Sequence, residues 1–310
     1  MINFQKDTEI VESIEQGFFV LTMMPSLYCP YNCSHCYLSK EQRRNPHKMS
    51  VDDLEIILEK VDDYYEMTGL ETKRIFPYFY GGEPLSMGLD YFTEVFETFD
   101  RVFLPEKGYK LKHSILSSLL GQDVKAWSGL IHKYCGGHLQ TSYDGLMRGK
   151  GYLKQWEKAV YKCKSSDITV STISVLNKAL VTEGPISTIE YLNGLGITET
   201  GWLPFMLNVQ NQDTEYDKHS VTMNEFNDYM IDMTSHWYAE IKKGRKLPMI
   251  GEAGFIANKA ITDKADNMAI QTLFLMPDGE VCLPNYKDGW LEYLEPFGNL
   301  LDVDTSFFDI

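Results

Sequence analysis

The chain lacks any apolar run of the roughly 18 residues that a helix needs to cross a bilayer. Its longest such stretches, Gly17 to Met24 among them, have strand length. The N-terminus, Met1-Ile2-Asn3-Phe4-Gln5-Lys6-Asp7, has no basic segment followed by an apolar one, so no secretory signal is legible. A cytoplasmic protein without membrane association is the expectation. Basic residues are scarce: 29 Lys and Arg against 44 Asp and Glu leave a net charge of −15. Such a chain repels phosphate backbones, which disfavours nucleic acid as a partner. There is no internal repeat beyond a βα alternation and no low-complexity tract. Cysteine is sparse, with six residues in 310. In a chain of this length without a signal, that count speaks against a disulfide framework. Cys135 and Cys163 stand alone beside helix-like segments and read as small buried apolar residues.

What is present suits a large α/β core. Hydrophobic residues make up 44% and aromatics 13% of the chain, ample for burial. Short apolar runs alternate with amphipathic ones. Strands are expected at Phe18 to Met24, Ile75 to Tyr80, Leu111 to Ser117, His138 to Tyr143, Ile168 to Val175 and Gly201 to Leu207. Between them the spacing predicts helices from Ser50 to Gly69, Tyr91 to Phe103, Val124 to Tyr134, Tyr152 to Cys163 and Ser187 to Leu195. Six such units imply a parallel sheet with right-handed crossovers, curved into a partial (βα)6 TIM-like barrel. From about Asn208 the alternation stops. A polar linker (Gln210 to Lys218), a long helix (Met223 to Lys243) and a hairpin about Pro277-Asp278-Gly279 read as a smaller α+β extension. The division is 1–208 and 209–310. About 17 residues precede the first strand, too few for a leader-peptide-binding domain, so substrate recognition is expected from the barrel mouth, the extension or a partner.

The chemistry concentrates at Cys29-Pro-Tyr-Asn-Cys33-Ser-His-Cys36-Tyr37, just after the first strand. No fourth cysteine lies nearby. Cys33-x-x-Cys36 has the spacing of a zinc knuckle, with Cys29 and His35 available to complete four ligands, but no second cysteine pair exists. The other reading is an iron–sulfur cube held by three thiolates, which leaves one iron open to chemistry. Active sites of parallel βα barrels lie at the C-terminal ends of strands. Gly81-Gly82-Glu83 comes directly after strand two, and Ser142 to Gly145 ends strand four, on the face that carries the cysteine loop. Glycines there allow close backbone approach, and Glu83 can add a charge-assisted contact.

These motifs resemble the radical S-adenosylmethionine (AdoMet) superfamily. The cysteine loop followed by aromatic Tyr37 is similar to its signature, and Tyr80-Gly81-Gly82-Glu83-Pro84-Leu85 to its glycine-glycine-glutamate motif. Thr141-Ser142-Tyr143-Asp144-Gly145 resembles the Ser-x-Asp-Gly element of the branch containing the anaerobic sulfatase-maturating enzymes and peptide maturases, with Arg148 standing for a nearby arginine. Ser117-Ser118-Leu119 occupies the place where that branch commonly has Thr-Asn-Gly, leaving a serine hydroxyl as donor. Pro277-Asp278-Gly279-Glu280-Val281-Cys282 and Phe297-Gly298-Asn299-Leu300 look like a SPASM or twitch extension reduced to one cysteine, too few for an auxiliary cluster.

The resemblance implies a [4Fe-4S] cluster on Cys29, Cys33 and Cys36. It implies AdoMet contacts from Tyr37, Gly81, Gly82, Glu83, Ser117, Ser142 and Arg148. One-electron cleavage of AdoMet then yields a radical that abstracts a hydrogen atom from a peptide or protein substrate, with a flavodoxin or ferredoxin as electron donor. Cys282 is either a buried residue of the hairpin or a thiol that returns a hydrogen atom to the substrate radical. Two other functions stand beside this one: radical chemistry on a small molecule such as a nucleoside or sugar, and a non-enzymatic zinc- or iron-binding scaffold.

Overall fold

The computed structural model describes residues 18–31, 33, 35–208, 215–253, 272–287 and 290–307. The segment before the first strand and residues 210–214 of the expected linker lie outside them. In chain order the elements are β1 (Phe18–Met23), α1 (Lys40–Arg44), α2 (Val51–Thr68), β2 (Lys73–Phe79), α3 (Leu89–Val102), β3 (Tyr109–Leu111), β4 (Ser114–Ile115), α4 (Val124–Cys135), β5 (His138–Ser142), α5 (Lys150–Lys164), β6 (Thr169–Leu176), α6 (Lys178–Glu183), α7 (Pro185–Leu195) and β7 (Glu199–Pro204). Beyond them come β8 (Leu207–Asn208), α8 (Glu215–His219), α9 (Met223–Lys242), β9 (Met249–Ile250), β10 (Thr272–Leu275), β11 (Glu280–Lys287) and β12 (Trp290–Asn299).

The helices form where the pattern places them. Ser50 caps α2 by accepting from the Asp53 amide, Asp52 and Asp53 complement the helix dipole, and Gly69 closes the helix in the left-handed region. Leu54, Ile57, Leu58 and Val61 form its buried stripe, and α3 answers with Phe92, Val95, Phe96 and Phe99. Full burial of each such side chain is worth about 1.5–3 kcal/mol.

β1 pairs in parallel with β2, and β2 with both β3 and β4. The expected third strand is thus two short pieces. A parallel bridge from Leu116 to Gln140, with the Ser117 amide donating to the Gln140 carbonyl (2.9 Å), carries the series on to β5. β5, β6 and β7 continue it in parallel. This is the mixed α/β, partial-barrel architecture.

Both edges extend further than the alternation alone indicates. β9 adds in parallel to β7, and β10 adds in parallel to β1, with Val20 opposite Thr272 and Met23 opposite Leu275. The expected hairpin is present as antiparallel β10 and β11, continued by β12. Local patterning cannot show this docking, because the β1 edge is buried only once the chain returns from some 250 residues away.

One core residue breaks the apolar rule. His113 is 3% exposed, and neither ring nitrogen has a hydrogen-bond partner. Phe79, Phe96, Phe99 and Tyr134 surround it, with ring centroids at 6.2, 4.6, 5.1 and 6.0 Å. Burial pushes its pKa down from 6.5 to about 3. The folded state therefore holds the neutral ring while the unfolded state takes up a proton below about pH 6.5. Stability is fully present above that pH and is lost as pH falls toward 3, at up to about 1.4 kcal/mol per pH unit. His113→Phe is expected to remove this slope and to raise the urea midpoint at pH 5. An unchanged pH dependence of the midpoint would refute the assignment.

Candidate active site at the C-terminal ends of the strands

The cysteine loop leaves β1 and is braced by the short helix α1 on its C-terminal side. Ser39 and Gln42 form a capping box that starts α1, and the Arg43 carbonyl accepts from the Cys29 amide (2.9 Å). Buried Arg43 turns its guanidinium back onto the Tyr31 carbonyl (3.2 Å). All three thiols are free and half-buried. Burial pushes the Cys29 thiol up to about 11, with Glu83, Cys33 and Cys36 adding to the rise. Burial raises Cys36 also, opposed by Arg43 and Arg148 among others.

The segment after β2 lies against this loop. The Gly82 amide donates to the Ser26 carbonyl (3.2 Å) and the Glu83 amide to the Tyr28 carbonyl (2.9 Å). A Cβ at residue 82 would stand 2.1 Å from the Tyr28 oxygen and 2.5 Å from that of Leu27. Close packing of two backbones thus demands glycine here, which refines the expectation that the glycines serve ligand approach. Tyr37 donates from its hydroxyl to the Gly81 carbonyl (2.9 Å) and stacks on Tyr80, which stacks on Tyr78.

Glu83 and Ser117 also meet. Glu83 is 2% exposed and accepts from the Ser117 hydroxyl (2.6 Å), the Ser118 amide (2.8 Å), the Ser118 hydroxyl and the Leu85 amide. Burial raises its pKa, opposed by those hydrogen bonds. The serines at 117 and 118 therefore anchor the carboxylate. Ser142 ends β5, half-buried, opposite Ile173 of β6.

Sequence reasoning passes over Asp144 and weighs His35 only for zinc. Asp144 is 1% exposed. It accepts from Arg148 Nε (2.5 Å) and the Val175 amide (2.9 Å), and His35 Nε2 lies 3.4 Å away. Burial works to raise its pKa, but the charge of Arg148 and the contact with His35 outweigh it and hold the carboxyl well below the usual range. Arg148 Nη1 donates to the Tyr152 hydroxyl (2.8 Å) and points at Cys33 Sγ (3.9 Å). The i,i+4 spacing of Asp144 and Arg148 was the available signal.

Cys282 lies on β11, 1% exposed, with burial pushing its thiol up to about 12. Its register runs through Phe274 and Thr22 to Tyr78. Phe79, one residue on, packs against the α3 rings, so the row containing Cys282 faces the barrel interior.

Three cysteines on one loop are a donor set of the kind that can hold an iron–sulfur cube at three corners. Among the described residues no three Cys, His, Asp or Glu side chains gather closely enough to hold one metal ion, as a zinc site requires. A cube spreads its thiolates over separate irons. Three thiolates beside Glu83 would repel one another without a cationic core. Within the loop, His35 Nδ1 is buried with no hydrogen-bond partner among the described residues.

The fold is similar to that of solved AdoMet-bound structures of anSMEcpe and SuiB. An anaerobic sulfatase-maturating enzyme, anSMEcpe, solved with bound AdoMet and the Cp18Cys peptide, superposes with a TM-score of 0.74 at 15% identity, over 94% of this chain and 79% of that one. SuiB of Streptococcus suis bound to S-adenosylmethionine gives 0.58 at 14% identity, over 97% and 68%. SuiB bound to the precursor peptide SuiA gives 0.55 at 15% identity, over 89% and 62%. No family model and no curated protein matches the sequence. At these identities the likeness is one of fold. Among the described residues no helix is long and apolar enough to cross a membrane.

Proposed function

We propose that this chain is a radical AdoMet enzyme that modifies a peptide or protein. Cys29, Cys33 and Cys36 hold a [4Fe-4S] cluster, and the AdoMet contacts come from Tyr37, Gly81, Gly82, Glu83, Ser117, Ser142 and Arg148. The observation that carries the reading is the joining of three separate motifs at one end of the barrel. Gly82 and Glu83 bond to the cysteine loop, Tyr37 bonds to Gly81, and Arg148 reaches Cys33. A cluster bound there would supply the one electron that cleaves AdoMet to methionine and a carbon radical able to take a hydrogen atom from the substrate.

The protein's own part is positional. Arg43 and α1 fix the loop, Glu83 is held by Ser117 and Ser118, and the β1–β2 packing sets the distance between thiols and glycines. The peptide class is supported by the peptides in the anSMEcpe and SuiB complexes. A flavodoxin or ferredoxin serves as electron donor, and the cytoplasm is the compartment.

Anaerobic reconstitution tests the reading. The expected product is a brown protein with about four irons and four sulfides that cleaves AdoMet under dithionite. A colourless zinc protein would overturn it. Turnover of a nucleoside or sugar with no peptide turnover would move the substrate to the small-molecule class.

Cys282 is assigned as the hydrogen-atom donor to the substrate radical, on the strength of its inward-facing row. Cys282→Ala is expected to abolish product while AdoMet cleavage continues. Undiminished product would return Cys282 to a packing role.

A further inference from the structure

The acidic balance of the chain makes one local arrangement conspicuous. Two guanidiniums, buried Arg43 and largely buried Arg148, flank the cysteine loop. They differ in what they hold. Arg43 bonds to backbone carbonyls of the loop, at Tyr31 and Ser39. Arg148 aims Nη1 at a thiol sulfur, Cys33 Sγ at 3.9 Å.

Nothing about that aim is left to a free side chain. Arg148 leaves the turn Gly145–Arg148, and its Nε is bonded to Asp144 Oδ2 at 2.5 Å. Asp144 is itself pinned through Oδ1 by the Val175 amide of β6. Tyr152 of α5 accepts from Nη1 and lies under the guanidinium, 5.1 Å from ring centroid to Cζ. The Arg148 side chain is 13% exposed and that of Asp144 1%. Burial keeps water from screening a charge so placed.

Hydrogen bonds and positive charge at cluster sulfurs stabilise the reduced, more negative state. We propose that Arg148, held by Asp144, is a positioning residue that raises the reduction potential of a cluster carried by Cys29, Cys33 and Cys36. The inference rests on the radical AdoMet reading and adds a role for this arginine separate from AdoMet contact. Asp144 has two effects in it: it aims the guanidinium, and its own charge partly offsets that of Arg148.

The test is a redox titration of the reconstituted full-length protein, monitored by absorbance and electron paramagnetic resonance. AdoMet is left out, so that contact with AdoMet contributes nothing. Iron and sulfide are quantified first. Arg148→Met is expected to lower the midpoint potential, and Arg148→Lys, which keeps the charge, to lower it less. Asp144→Asn, which removes the offsetting charge and keeps one acceptor oxygen for the Arg148 guanidinium, is expected to shift it upward. Opposite shifts from the two partners are a signature that a purely structural role does not produce.

Equal potentials in the parent protein and fully loaded variants, or shifts of one sign for both partners, would overturn the inference. If Arg148→Met does not fold, Arg148→Lys and Asp144→Asn still decide it by the same signs. Absence of iron and sulfide from the parent protein is a different outcome, and it refutes the radical AdoMet reading itself.

Discussion

Gly82→Ala is expected to cut AdoMet cleavage by about 10²-fold while leaving the circular dichroism of the chain unchanged. The added Cβ would meet only backbone: the Tyr28 oxygen at 2.1 Å, the Leu27 oxygen at 2.5 Å and the Tyr28 carbonyl carbon at 2.6 Å. No rotamer change relieves such a contact. The two strand ends must separate, and Tyr28 immediately precedes Cys29, so the displacement passes into the first thiol. The Glu83 amide bond to Tyr28 stretches with it. Overpacking of this kind costs about 1–3 kcal/mol of stability, occasionally more. Gly129→Ala in α4 is the control: nothing lies within 4 Å of its added Cβ, and stability should rise by about 0.5–1 kcal/mol. Wild-type cleavage by the Gly82 variant would mean that the loop yields without consequence, and the packing account would fail.

Asp144→Ala is expected to destabilise the fold by about 3–5 kcal/mol, because it strands the Arg148 guanidinium beneath the surface without its counter-charge. The Val175 amide loses its acceptor at the same time. Removing both charges, as Asp144→Ala with Arg148→Met, should recover a substantial part of the loss. Urea midpoints of the parent protein, of each single variant (Asp144→Ala and Arg148→Met) and of the double variant give the comparison. A double variant as unstable as the sum of its parts would show that the pair contributes no coupling. The same pair carries a pH dependence. Asp144 titrates below its ordinary value in the folded protein, so its contribution is present above about pH 4 and is lost as pH falls through the lower folded value. This loss sets in at lower pH than the one from His113, which begins near 6.5.

The cysteine loop and the glycine-glycine-glutamate segment are legible in sequence because each is a contiguous run whose chemistry requires its spacing. The helices are legible for a similar reason. Ser50 and Gly69 mark the ends of α2 by cap chemistry that acts over three or four residues. The third strand reads as one and is two, since the break at Lys112 and His113 carries no glycine or proline to mark it. Asp144 escapes a sequence reading although it stands inside the Ser-x-Asp-Gly element. Its partners are His35, Arg148 and Val175, and two of those three lie more than 30 residues away. Ser117 and Ser118 read only as a departure from a familiar pattern. That both bond to Glu83 depends on two strand ends meeting.

By itself the sequence determined the alternation that makes the barrel, the strand ends on which its three motifs fall, and the three thiols with no fourth nearby. These rest on periodicity and on bonds that span a few residues. Only the tertiary structure decided that β10 would complete the edge of β1, that Gly82 is glycine because of the Tyr28 backbone, and that Arg148 points at Cys33. Each of those depends on which distant segment arrives beside a residue, and burial then turns that arrival into a steric limit or an unscreened charge.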